Sequence, residues 1–132
     1  MRVLFIEDDA MNRRVVRDML QVVGAEMAEA EDGAAGLAAV DGGAFDLLLV
    51  DLRMPGMDGL TAISRIRARA DAKAGVPIIV VTADTAADLR ESCLGAGADD
   101  VILKPVAMKQ LFTAMGRVMV GAGRRNDSSC AA

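Results

Sequence analysis

The chain has 132 residues, 53% hydrophobic and 26% charged, a composition that suits one globular domain with a sizeable core and not a disordered chain. Its formal charge of −4, from 15 basic and 19 acidic residues, argues against a general nucleic-acid binder. No apolar run approaches the ~18 residues of a membrane span, and the absence of histidine excludes a phosphohistidine, an imidazole base or a His metal ligand within these residues.

In chain order, Val3-Leu4-Phe5-Ile6 is a short apolar strand that gives way to Glu7-Asp8-Asp9. Those acids also break any signal-peptide core, so the expected compartment is the cytoplasm. Residues 11–23 place Val15, Val16, Met19, Leu20 and Val23 at helical spacing, with Asp9 as the cap and Gly24 as the stop. Glu26 to Ala30 alternates polar and small apolar residues, a half-exposed pattern that suits an edge strand. A second helix over 34–40 ends at Gly42-Gly43. The run Leu47-Leu48-Leu49-Val50 closes on Asp51 and opens into Leu52-Arg53-Met54-Pro55-Gly56-Met57-Asp58-Gly59.

Asp58 is placed to cap a third helix over 58–70 with Leu60, Ile63 and Ile66 inward, and Gly59 to permit a tight turn. Ile78-Ile79-Val80-Val81 ends on Thr82, and a fourth helix over 86–94 stops at Gly95-Ala96-Gly97. Val101-Ile102-Leu103 ends on Lys104-Pro105, followed by a fifth helix over 106–120 with Leu111, Phe112, Met115, Val118 and Met119 inward. Residues 1–120 thus form one domain. Residues 121–132 read as a flexible tail, in which Arg124-Arg125 is a solvated end. Cys93 and Cys130 have no metal or redox spacing and read as a buried small residue and a tail thiol.

Strict alternation of strands and helices, with continuous apolar strands, implies a parallel sheet covered on both faces. Four of the strand ends would then lie along one edge of that sheet. Three carboxylates (Glu7, Asp8, Asp51), a hydroxyl (Thr82) and an ammonium (Lys104) converge there, which suits phosphoryl transfer assisted by a divalent cation.

From about Arg2 to Met119 the chain resembles the receiver domain of two-component response regulators, of the single-domain, chemotaxis-regulator-like type. The likeness rests on Glu7 and Asp8, Asp51 with Met54-Pro55, Gly59, Thr82-Ala83 and Lys104-Pro105, in the family's order and spacing. It implies a doubly wound, flavodoxin-like α/β fold with strand order 2-1-3-4-5, and a site beyond the strand ends at the switch between strands 1 and 3. It also implies that Asp51 is the phospho-acceptor and that Mg²⁺ is held by Asp8, Asp51, the Arg53 carbonyl and, through water, Glu7. Lys104 pairs with Asp51 before transfer and with phosphate after it. Thr82 and Ala83 contact the phosphoryl group, and the Lys104-Pro105 bond is cis.

The implied partner is a sensor histidine kinase or a histidine phosphotransfer protein, with no nucleic acid, no membrane insertion, and a monomer or weak dimer. The resemblance also implies that Arg53 and Asp84, each two residues beyond a site residue, border the phosphate and modulate its lifetime. Val101 stands where the family often carries a switching aromatic ring. With no ring there, the expected response is a shift of the loop after strand 4.

Three other readings fit parts of the pattern. A receiver cut from a hybrid histidine kinase has the same chemistry and is favoured by Met11-Asn12-Arg13. An aspartyl-nucleophile phosphatase of the haloacid dehalogenase type wants an acid two residues after its nucleophile, where this chain has Arg53. A binding module would use Arg124 and Arg125.

Overall fold

In the computed structural model, the backbone is described for residues 1–131 and the side chains for residues 1–120. Five strands, β1 (Arg2–Ile6), β2 (Glu26–Ala30), β3 (Leu47–Asp51), β4 (Ile78–Thr82) and β5 (Asp100–Leu103), form one sheet. All pairings are parallel and the order is β2-β1-β3-β4-β5, as the resemblance implies. The helices are α1 (Ala10–Val22), α2 (Gly33–Gly42), α3 (Gly59–Arg67), α4 (Leu89–Ala96) and α5 (Met108–Ala131), with a 3₁₀ turn over Ala72–Gly75.

Side chains alternate across each strand, so each run feeds two cores. Val3, Phe5, Leu47, Leu49, Ile79, Val81 and Ile102 pack beneath α1 and α5, against Val16, Leu20, Leu111, Met115 and Val118. Leu4, Ile6, Leu48, Val50, Ile78 and Val80 pack on the other face, against Val40, Ile63, Ile66 and Cys93. The central strands β3 and β4 are buried along their whole length. β2, by contrast, keeps Glu26 and Glu29 exposed at the sheet edge, and Glu29 pairs there with Arg17 of α1 at 2.9 Å.

Several elements depart from the sequence reading. Of the residues at helical spacing in the first helix, Val15 and Val23 are 41% and 55% exposed, because the Val16–Leu20 stripe of α1 meets the sheet. α3 stops at Arg67, and the following segment turns through the 3₁₀ helix capped by Asp71, whose carboxylate accepts the Lys73 N–H. α4 begins at Leu89 and not at residue 86. The Asp84 carboxylate accepts the Ala86 N–H at 2.9 Å, holding the chain in a local turn that competes with helix. The backbone of α5 continues past Val120; the expected tail side chains, with Arg124, Arg125 and Cys130, lie outside the described residues.

Candidate active site

Register brings the candidate residues together. Ile6 lies beside Val50, Asp51 beside Val81, and Thr82 beside Leu103. Glu7, Asp51 and Lys104 are therefore the next inward positions after Phe5, Leu49 and Ile102, on the sheet face covered by α1 and α5. Thr82 follows Ile78 and Val80 onto the other face.

Loops then fix the rim. Asp9 caps α1 by accepting the Met11 N–H at 2.8 Å, so the chain turns into helix directly after Asp8. Asp58 caps α3 in the same way, through Thr61. The expectation for Gly59 needs correcting, because the turn is made by Gly56 at φ 80°. Gly59 is needed for closeness instead. A Cβ there would lie 2.8 Å from the Leu52 Cα and would also run into the Asp51 carbonyl, while the Gly59 N–H donates to the Leu52 carbonyl at 2.9 Å. This contact presses the α3 terminus against the end of β3, just behind Asp51.

Glu7 is fully buried, Asp51 is 5% exposed and Asp8 is open to solvent. Each offers a carboxylate oxygen, and these oxygens lie within 4.8 Å of one another. An all-oxygen donor set of this kind fits a hard divalent cation, and Mg²⁺ needs only one or two protein carboxylates beside its waters. Lys104 was expected to pair with Asp51. Its Nζ forms that ion pair at 3.5 Å from Asp51 Oδ2, and its hydrogen bonds go to Glu7, at 3.0 Å to Oε1 and 3.1 Å to Oε2. The Lys104-Pro105 bond is cis.

Burial pushes the Glu7 carboxyl above its ordinary range; Asn12 and Lys104 oppose that push, and neighbouring Asp51 adds to it. Asp51 receives a long hydrogen bond from the Arg53 N–H, at 3.4 Å, and its carboxyl is within hydrogen-bonding reach of the Glu7 carboxyl.

On the opposite wall Thr82 is buried, and its Oγ1 accepts the Asp84 N–H at 3.1 Å. Ala83 is exposed beside it. The Arg53 guanidinium donates to Asp84 Oδ2 at 2.6 Å, so the two positions expected to modulate the phosphate's lifetime meet across the rim. The Ala86 N–H first, and then Arg53, hold the Asp84 carboxyl below the usual carboxylate range. Val101 is partly buried and packs against the core beneath α4, with no ring to turn.

Sequence reasoning missed the part played by the first turn of α1. The Asn12 Nδ2 donates to Glu7 Oε1 at 2.9 Å, and an Arg13 guanidinium N–H donates to the Glu7 carbonyl at 2.7 Å. The available signal was a pair of polar donors one turn beyond the acids, at the start of an amphipathic helix.

Comparison with known proteins agrees with this geometry. The response regulator receiver domain family matches residues 3–116. The sensor protein GacS of Pseudomonas syringae pv. syringae is 40% identical over 112 residues, 83% of this chain and 12% of that protein. The sensor histidine kinase AruS of Pseudomonas aeruginosa is 36% identical over 119 residues, again 12% of its length, so the chain spans only a small part of these relatives.

Among solved structures, the receiver domain of sensor histidine kinase PA1611 from Pseudomonas aeruginosa PAO1 has a magnesium ion coordinated in its active site cleft. It is 32% identical, with a TM-score of 0.81 over 89% of this chain and 96% of that one. The Vibrio cholerae chemotaxis protein CheY4 is 28% identical, also with a TM-score of 0.81, over 89% of this chain and 97% of its own. By fold, strand-end constellation and family match, the chain belongs to the response regulator receiver domains of two-component signalling.

Proposed function

We propose that Asp51 accepts a phosphoryl group from a phosphohistidine, in a reaction that needs Mg²⁺, and that the phosphorylated chain signals through protein contacts. The observation that carries this reading is the buried Asp51 carboxylate at the end of β3, 3.5 Å from the Lys104 ammonium and beside the oxygens of Glu7 and Asp8. An Asp51 oxygen attacks phosphorus, the P–N bond to the donor imidazole breaks, and the imidazole keeps the bonding pair and takes up a proton. The product on Asp51 is a mixed anhydride.

The main obstacle is repulsion between anions, which for unit charges ~4 Å apart is about 4 kcal/mol at an effective dielectric near 20. Lys104 is fixed close enough to offset part of it, and after transfer it moves its hydrogen bonds to the phosphoryl oxygens. Thr82 donates its hydroxyl to the same oxygens, with Ala83 alongside. Asp8 and Asp51 would hold Mg²⁺ directly, with the Arg53 carbonyl, and Glu7 would act through water. When bound, the ion neutralises charge on the carboxylates and on the phosphoryl oxygens. The Arg53–Asp84 pair stands at the rim, where it limits approach of water to the anhydride.

With no histidine in these 132 residues, the donor imidazole lies outside them. It belongs to a sensor histidine kinase or a phosphotransfer protein, and the cytoplasm is the compartment where such donors meet this chain. The relatives favour a second reading of the same chemistry, in which the donor kinase shares a longer polypeptide with this domain, because GacS and AruS each match over 12% of their length. The test is phosphotransfer from purified histidine kinases to the chain. Transfer should require Mg²⁺, stop with chelator, and be lost in Asp51→Asn. Full labelling of that variant would overturn the assignment.

A further inference from the structure

Glu7 is the most completely held residue in the site. Its N–H donates to the Ala30 carbonyl at 2.9 Å, its carbonyl accepts from Arg13 at 2.7 Å, and its carboxylate is shared between Asn12 and Lys104. A fully buried carboxylate needs such partners. Two of the three side chains that hold Glu7, Asn12 and Arg13, stand side by side at the start of α1. Arg13 fixes the backbone of Glu7, and Asn12 fixes its side chain. Asn12 holds Oε1 from the α1 side, while Lys104 donates to both carboxylate oxygens. These oxygens are kept facing Lys104 and the oxygens of Asp8 and Asp51.

We propose that Asn12 is a positioning residue of the cation site, holding the Glu7 carboxylate in the orientation that lets Glu7 serve both Lys104 and a divalent cation. This rests on the reading that Glu7, Asp8 and Asp51 take up Mg²⁺. Asn12 touches neither the cation nor the phosphoryl group and acts only through Glu7. An apolar residue of similar size at position 12 leaves the Glu7 carboxylate with Lys104 as its one side-chain donor among the described residues. The carboxylate then loses its tie to the helix and is held by the Lys104 ammonium alone. Groups that hold a metal ligand in place govern metal affinity in this way.

The experiment is a Mg²⁺ titration of the whole chain, read by calorimetry or amide chemical shifts because there is no Trp or Tyr to report. Asn12→Leu should weaken Mg²⁺ binding by roughly tenfold, the lower end for a group supporting a metal ligand. Asn12→Gln, which keeps the amide donor, should restore most of the affinity. On a Glu7→Gln background, Asn12→Leu should add less than a twofold loss, the non-additivity expected when one residue acts through the other.

Wild-type affinity in Asn12→Leu, or an undiminished tenfold loss on the Glu7→Gln background, would overturn the positioning role and leave the site reading intact. If the unmodified chain took up no Mg²⁺ while Asp51 still labelled, the cation reading beneath the proposal would fail instead. Should Asn12→Leu fold poorly, Asn12→Ala, which also removes the donor, supplies the same comparison.

Discussion

Asp51 and Asp100 are buried almost equally, at 5% and 3% exposure, and both stand at an end of a strand. Their surroundings differ in charge. Asp100, at the start of β5, accepts from Arg90 of α4 at 2.8 Å and from Arg117 of α5 at 3.0 Å, and the Val101 N–H completes its shell at 2.9 Å. Two guanidinium groups face one carboxylate, so nothing further is needed for balance. At the other edge of the sheet, Glu7, Asp8 and Asp51 cluster, and among the described residues one ammonium, that of Lys104, pairs with Glu7 and Asp51. Burial alone therefore does not mark a chemical site. The mark is buried negative charge that the protein leaves unbalanced, which a cation and a transferred group can use.

The largest effect should come from removing charge at the unbalanced edge. Asp8→Ala should weaken Mg²⁺ binding by on the order of 100-fold, since even the residues that support metal ligands are worth up to that much. Its thermal midpoint without Mg²⁺ should stay level or rise, because one of three crowded carboxylates is gone. A lowered midpoint together with unchanged Mg²⁺ affinity would erase the contrast.

At the balanced end the pattern reverses. Asp100→Asn should lower stability by about 1–3 kcal/mol, the range for lost charge-assisted hydrogen bonds. The cost stays below that of a wholly buried pair because Arg90 and Arg117 are 55% and 64% exposed and return to water. Urea unfolding measures this loss, and Mg²⁺ affinity should not change. A fall in Mg²⁺ affinity would mean that the two ends are coupled.

The smallest effect belongs to the rim. Arg53→Ala or Asp84→Ala should speed loss of the phosphoryl group by roughly threefold, through easier approach of water. The double variant should lose it no faster than either single one, because the two residues act as one ion pair. Additive rates, or no change, would remove the gate.

The contrast between these ends was half legible in the sequence. Glu7, Asp8, Asp51, Thr82 and Lys104 each close or follow an apolar run. Alternating elements force parallel strands, so their convergence at one edge could be read without coordinates. Asp9 and Asp58 were equally readable as caps, because capping depends on the next three residues alone. Asp100 gave no comparable signal. Its partners lie 10 and 17 residues away on different helices, and only the folded packing brings them to it. The Lys104–Glu7 bonds, which span 97 residues, were hidden for the same reason, as was the hold of Asn12 on Glu7. The start of α4 was misread because Ala86 and Ala87 favour helix, while the turn made by the Asp84 side chain decides the backbone there.

The central claim is that Asp51 carries the phosphoryl group, and the most direct measurement is to locate the modified residue after transfer from a histidine kinase in Mg²⁺. The label should be acid-labile and hydroxylamine-sensitive, as an acyl phosphate requires, and borohydride reduction followed by peptide mapping should place it on the peptide containing Asp51. Asp51→Asn should carry no label while keeping the wild-type fold. A label stable to hydroxylamine, or one mapping to another residue in the wild-type chain, would contradict the account.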